Sequence, residues 1–164
     1  MNDFNVRLAT PADDDQIKQL ALDNAMFEPH EMGAFDEMLG GFHAGMLDEH
    51  QWIVAETEPG TVAGAAYYAP EPFADRMWNL YFIATAPGAH GGGAGSTLIT
   101  HVEQRLRARG DAAARTLIVD TSSLDGYAKA RAFYAARGFT EEARIRDFYG
   151  PGDHKVTFWK TLVD

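Results

Sequence analysis

Ala86-Pro87-Gly88-Ala89-His90-Gly91-Gly92-Gly93-Ala94-Gly95-Ser96 is the stretch on which the reading of this 164-residue chain turns. The residues before it, 77–85, are strongly apolar and read as a strand buried on both faces. After it, Leu98, Ile99, Val102 and Leu106 recur at helical spacing, and Gly110 stands where a helix stops. Strand, glycine loop and helix N-terminus together make a phosphate site. Backbone N–H groups point at the anion, the helix dipole adds to the attraction, and glycine lets the backbone come close. A glycine run alone also fits a flexible loop with no ligand. Its place between a buried strand and a helix favours the phosphate reading.

Two common nucleotide motifs fit poorly. Gly88 and Gly93 have the spacing of a P-loop, but Ala94 stands where lysine is required. Gly91 and Gly93 begin a dinucleotide fingerprint, but Ser96 takes the place of its last glycine, and several strands precede it.

Outward from this turn, the chain alternates strand and helix signals. Residues 4–8 alternate apolar and polar side chains and read as a first strand. Thr10, Pro11 and the acidic residues 13–15 mark a helix start, with Ile17, Leu20 and Ala21 as its apolar face. A second helical stretch spans about 30–47, with Phe35, Leu39, Phe42 and Met46 in period, and Gly40-Gly41 predicted to weaken or divide it. Residues 51–57 and 61–69 read as strands joined by the turn at Glu58-Pro59-Gly60, and Pro70-Glu71-Pro72 as a loop. Residues 116–120 form another strand, 128–137 a helix with Gly138 as its C-cap, and 139–145 and 156–162 two closing strands. The segment 146–153 is assigned to a loop. The expectation is α/β: one domain over 1–164 with a mixed central sheet of about seven strands flanked by about four helices.

Composition narrows the function. The formal charge is −10, whereas a general nucleic-acid binder should be basic, so no nucleic-acid partner is expected. An acidic surface suits a cationic partner or simply solubility, and any phosphate site must be local. There is no cysteine, which removes disulfides, thiolate metal sites and a cysteine nucleophile. No apolar run approaches the roughly 20 residues that span a bilayer, and the first residues lack a signal-peptide pattern. No membrane partner is expected, and the default compartment is the cytoplasm.

A second motif lies downstream. In Tyr127-Ala128-Lys129-Ala130-Arg131-Ala132-Phe133-Tyr134-Ala135-Ala136-Arg137-Gly138-Phe139, the residues Ala130, Phe133, Tyr134, Gly138 and Phe139 match the pattern Asn-x-x-Ala-x-x-Phe/Leu-Tyr-x-x-x-Gly-Phe. The glycine turn, His90-Gly91-Gly92-Gly93-Ala94-Gly95, matches Arg/Gln-x-x-Gly-x-Gly/Ala except at its first place. Both patterns, separated by one helix and one strand, resemble those of the GCN5-related N-acetyltransferases (GNAT). The specific signal lies in about residues 80–139. His90 replaces arginine or glutamine and would bring a group that titrates near neutral pH. Tyr127 replaces the usual asparagine.

The resemblance implies a direct attack by a neutral amine on the acetyl thioester of acetyl-CoA, the cosubstrate, with no acyl-enzyme. It implies that backbone amides near Ile83, Ala84 and Thr85 hold the pantetheine arm, one of them also serving the oxyanion. It implies that His90, Gly91, Gly92, Gly93, Ala94, Gly95 and Ser96 hold the pyrophosphate, with Tyr127 nearby. It implies that the phenol of Tyr134 donates a proton to the departing thiolate. Read from periodicity alone, Tyr134 is a core aromatic, and Tyr127 a core or pocket-wall residue. The base that deprotonates the amine is open among Glu71, Asp147 and His30, each also readable as a solvated surface group. Asp153 and His154 make a weak metal pair without further ligands nearby in sequence, and no metal is assigned. The resemblance implies a small-molecule or peptide amine as the acceptor. Loops and helices around 26–50, 70–76 and 146–153, with Phe27, Phe35, Trp78, Glu71 and Asp147, are expected to form its pocket. Exposed sheet edges allow a homodimer. The competing readings are a catalytically silent acetyl-CoA sensor or partner module, another nucleotide-binding protein, and an interaction domain without ligand.

Overall fold

The computed structural model describes residues 3–89 and 92–164. Along the described residues run β1 (Asn5–Leu8), α1 (Asp14–Asp23), α2 (Met32–His43), β2 (Gln51–Glu58), β3 (Thr61–Pro70), β4 (Met77–Thr85), α3 (Ala94–Ala108), β5 (Thr116–Ser122), α4 (Ala128–Ala136), β6 (Thr140–Gly150) and β7 (Asp153–Thr161). The seven strands form one mixed sheet in the order β1-β2-β3-β4-β5-β7-β6. β4 and β5 pair in parallel, from Met77↔Thr116 to Leu80↔Val119, across the connection that contains α3. The fold is the α/β mixed sheet with four helices that the sequence predicts. Among the described residues no helix is long and apolar enough to cross a membrane.

The chain packs as two compact units, one of Met1–Ala69 and Phe82–Arg105, the other of Pro70–Tyr81 and Leu106–Asp164. In the first, Ile17, Leu20 and Ala21 of α1 and Phe35 and Leu39 of α2 are buried in one cluster with Trp52, Val54, Tyr67 and Phe82 from the strands. Phe35 stands edge-on to Phe27 at 4.7 Å and to Phe82 at 5.5 Å. It is therefore a core residue, and not the pocket aromatic that its position in the sequence suggests. Asp13 keeps its expected place at a helix start, its Oδ2 accepting Thr10 N–H at 2.8 Å, and takes on a second role. It is buried and takes both guanidinium nitrogens of Arg7, at 2.7 and 2.9 Å. Arg7 holds its carboxyl below the usual range.

Gly40 and Gly41 do not divide α2. The helix runs through both and ends in a left-handed Gly45, with Met46 N–H donating to the Gly41 carbonyl and Gly45 N–H to that of Phe42. A Cβ on Gly41 would lie 3.2 Å from Leu47 Cδ1. The missing side chain is where Leu47 packs back on its own helix, which offsets the helix-propensity cost.

In the second unit Leu117 and Val119 of β5 and Val156 and Phe158 of β7 are buried, with Asp120 opposite Thr157 in the ladder. Trp78 is fully buried, donates its indole N–H to the Ala113 carbonyl, and carries the Arg109 guanidinium over its ring at 4.7 Å. It too belongs to the core. Residues 146–150, expected in a loop, are the end of β6. Phe148 and Tyr149 favour a strand, and only Gly150, Pro151 and Gly152 are needed for the turn.

Gly64 on β3 has the tightest surroundings described for a glycine. A Cβ there would sit 3.0 Å from Leu98 Cδ1 and 3.1 Å from the Ala84 carbonyl oxygen. Gly64→Ala should overpack this site and lower unfolding free energy by about 1–3 kcal/mol, read from urea denaturation. An unchanged denaturation midpoint would contradict the packing.

Candidate active site

The glycine motif begins at the end of β4. Ala84 is buried, while Ile83 and Thr85 are half-buried. The backbone here is fastened from both sides: the Thr85 carbonyl accepts Asn24 Nδ2 at 2.9 Å, and Ala86 N–H donates to the Ala63 carbonyl at 2.8 Å. His90 and Gly91 lie outside the described residues. Gly92 and Gly93 are exposed, and Gly93 takes φ +92, a conformation that side chains disfavour. Its carbonyl accepts both the N–H and the hydroxyl of Thr97 in the first turn of α3. Ala94 is buried and anchors the helix, leaving Gly95 and Ser96 half-buried. Among the described residues nothing lies within 4 Å of the place a Gly93 Cβ would occupy. The exposed glycines at the positive end of a 15-residue helix fit a diphosphate.

The second motif acquires a physical explanation. α4 ends with Gly138 left-handed at φ +87. Gly138 N–H donates to the Ala135 carbonyl, and Phe139 N–H donates five residues back to that of Tyr134. This is a Schellman closure, and the two residues it joins, Tyr134 and Phe139, also bring their rings to 6.0 Å. The spacing Tyr-x-x-x-Gly-Phe is the spacing of that closure. It fixes Tyr134, which is buried and also packs on Phe133 and Phe158. Burial, with Tyr149 adding, raises the Tyr134 phenol above its ordinary range. The ring is thus part of the core, and its hydroxyl keeps its proton. Tyr127, just before α4, is half-buried, and burial followed by Asp153 raises its phenol.

Of the base candidates, Glu71 lines a cavity. It accepts Tyr81 OH at 2.7 Å and Asn79 Nδ2 at 2.9 Å. The cavity has a volume of about 340 Å³ and is shared with Asp120, Phe148, Tyr149 and Lys155. His30 is exposed in the turn before α2. Asp147 is exposed and accepts Gly152 N–H. His154 Nδ1 accepts Asp147 N–H, so this ring nitrogen is engaged in the hairpin and not offered to a metal. Sequence reasoning misses Asn79 and Asp120. Each is a polar residue inside an apolar strand, and that mismatch is the available signal. It misses Tyr149 by assigning its segment to a loop.

These elements define an acetyltransferase fold, and solved structures agree. A GNAT-family protein from Desulfovibrio desulfuricans superposes with a TM-score of 0.88 at 28% identity, over 98% of this chain and 100% of that one. The ribosomal-protein-S18-alanine N-acetyltransferase of Escherichia coli gives 0.75 at 17% identity, covering 99% and 96%. The Salmonella typhimurium protein yncA, solved with its cofactor acetyl-CoA, gives 0.76 at 18%, covering 99% and 95%. The last two share the fold alone. No curated protein matches the sequence. The model of the acetyltransferase (GNAT) family matches residues 15–139, and the chain belongs to that family of enzymes.

The phenols give a direct check on the site. Burial, then Asp120, Asp153 and Tyr127, push Tyr149 up to about 12 from the ordinary 10.0. The folded state thus keeps protons that the unfolded chain releases from pH 10 upward, and stability falls as pH rises through that range. In an absorbance titration of protein shown to be folded, Tyr149→Phe should remove a phenolate step near pH 12. If all six phenols ionise together near pH 10 in the folded protein, the burial account is wrong.

Proposed function

We propose that this enzyme is an acetyl-CoA-dependent N-acetyltransferase that moves the acetyl group directly to a primary amine of a small molecule or peptide. Residues 1–164 act as a single catalytic domain, in the cytoplasm. The observation that carries this reading is the turn after β4, where exposed Gly92 and left-handed Gly93 open α3 with no described atom within 4 Å of the Gly93 Cβ position. The net charge of −10 makes such a local, backbone-built anion site necessary, because the surface as a whole repels phosphate.

Bound acetyl-CoA supplies an activated thioester, whose carbonyl carbon takes the amine and whose sulfur leaves. The chain's own groups do the rest. Backbone N–H groups of His90, Gly91, Gly92, Gly93, Ala94, Gly95 and Ser96 bind the pyrophosphate, and the macrodipole of α3 assists them. The backbone at Ile83, Ala84 and Thr85 orients the pantetheine arm, and an N–H there stabilises the developing oxyanion. Tyr127 lines the cofactor's side of the site. Burial keeps Tyr134 protonated until the C–S bond breaks; the phenol then gives its proton to the leaving thiolate, and the proton shed by the attacking nitrogen restores it. No covalent intermediate on the protein is required.

The experiment is release of CoA thiol from acetyl-CoA with amines, amino acids and peptides as acceptors. The chain has no cysteine, so a thiol reagent reads CoA alone. Amine-dependent release should appear, and Tyr134→Phe should lower kcat about a hundredfold with little change in acetyl-CoA affinity. Undiminished turnover in Tyr134→Phe would remove the phenol from the mechanism. Acetyl-CoA binding without release to any acceptor would turn the reading toward a silent sensor.

A further inference from the structure

The cavity around Glu71 has a charge balance that specifies its ligand. Its lining carries two carboxylates, Glu71 and Asp120, and one ammonium, Lys155, leaving one negative charge in excess. Lys155 is already committed. Its Nζ lies 4.0 Å from Asp120 Oδ2 and 4.2 Å from the centroid of the Phe148 ring. Asp120 is further held by the Thr157 hydroxyl, which donates to Oδ1 at 2.5 Å. Among the described residues the Glu71 carboxylate receives hydrogen bonds only from the neutral Tyr81 and Asn79, and it has no cationic partner.

Asn79 supplies the independent observation. It lines the cavity and is only 3% exposed. Its amide nitrogen donates to Glu71 Oε2 at 2.9 Å and reaches Asp120 Oδ2 at 3.4 Å, which fixes which end of the amide is which. Its Oδ1 is buried and has no hydrogen-bond partner among the described residues. A buried acceptor without a donor carries a desolvation penalty, and because Asn79 lines the cavity, a donor bound there that reaches Oδ1 relieves it. An uncompensated carboxylate beside an unpaired acceptor asks for a ligand that is positive and donates only. A primary ammonium is such a group.

The apolar side of the cavity sets the rest of the ligand. Phe148 and Tyr149 are 54% and 48% exposed and stand edge-to-face at 5.0 Å. Large aromatic rings held at a surface next to a cavity offer cover for an apolar body, and their faces attract a cation.

We propose that this cavity is the acceptor pocket and takes a primary ammonium on an aromatic or alkyl body, with no carboxylate beside the nitrogen. The inference rests on the acetyltransferase reading for its name as an acceptor site. Glu71 and Asn79 Oδ1 receive the ammonium, and Phe148 and Tyr149 cover the body. A carboxylate beside the nitrogen would face the excess negative charge while Lys155 is occupied by Asp120, so free amino acids are discriminated against.

Calorimetric titration of the intact protein with phenethylamine tests this, with phenylalanine as the carboxylate-bearing counterpart and acetyl-CoA titrated separately. Phenethylamine should bind, and phenylalanine should bind at least about tenfold more weakly. Glu71→Gln, which keeps an acceptor for Tyr81 and Asn79, should weaken phenethylamine about tenfold or more. Phe148→Ala, at an exposed position, should weaken it several-fold while leaving acetyl-CoA affinity unchanged. Absence of phenethylamine binding, equal affinity for phenylalanine, or unchanged affinity in both variants overturns the pocket. Failure of acetyl-CoA to bind is a separate result. It ends the acetyltransferase assignment of the ligand, while the amine titrations still decide the site.

Discussion

The absence of one side chain at Gly64 governs where the glycine turn can be. The Cβ position of this glycine is 3.0 Å from Leu98 of α3 and 3.1 Å from the carbonyl of Ala84 on β4. Helix and strand thus close on the same point of β3. The turn between them has its two ends set by that closure, and the hydrogen bond from Ala86 N–H to the Ala63 carbonyl ties it down again just before the glycines begin. Within the described part of the turn, Gly93 uses its freedom to reach φ +92. A backbone-built anion site needs that combination. Its ends must be rigid enough to fix the N–H directions, and its middle must be free of Cβ atoms.

Tyr134, the proposed acid, is placed by the way its own helix ends. The Schellman closure joins Tyr134 to Phe139 by a backbone hydrogen bond and a ring contact, with Gly138 supplying the left-handed step between them. The same burial that holds the ring raises the phenol, so placement and protonation state have one cause. In an acidic chain this matters for the neighbours too. Burial first, then Asp120 and Asp153 at Tyr149 and Asp153 at Tyr127, bias each of these phenols toward the neutral form.

Much of this is legible in the sequence because it is encoded locally. The apolar run of β4 marks both its ends, and the period of α3 starts at Ala94, where the helix does. The Tyr-to-Phe spacing of the second motif is a helix-ending geometry that any chain must write in the same letters. Reading fails where tertiary packing overrules a local signal. Gly41 looks like a helix breaker until Leu47 is seen to occupy the missing side chain's place. Phe35 and Trp78 look like pocket aromatics, yet the core claims both. The Glu71 cavity is half visible. Glu71 stands out in its loop, but Asn79 and Asp120 are hidden among the apolar residues of their strands. Tyr149 sits in a strand end whose glycines and proline read as a loop.

In the proposed function, backbone amides at two segments of one unit hold a diphosphate-bearing cofactor. Hydrogen–deuterium exchange with and without CoA tests that most directly, since it reads those amides themselves. CoA should slow exchange at 83–85 and at 92–96, with little change along β1 or α2. Protection absent from both segments, or concentrated elsewhere, would contradict the cofactor site.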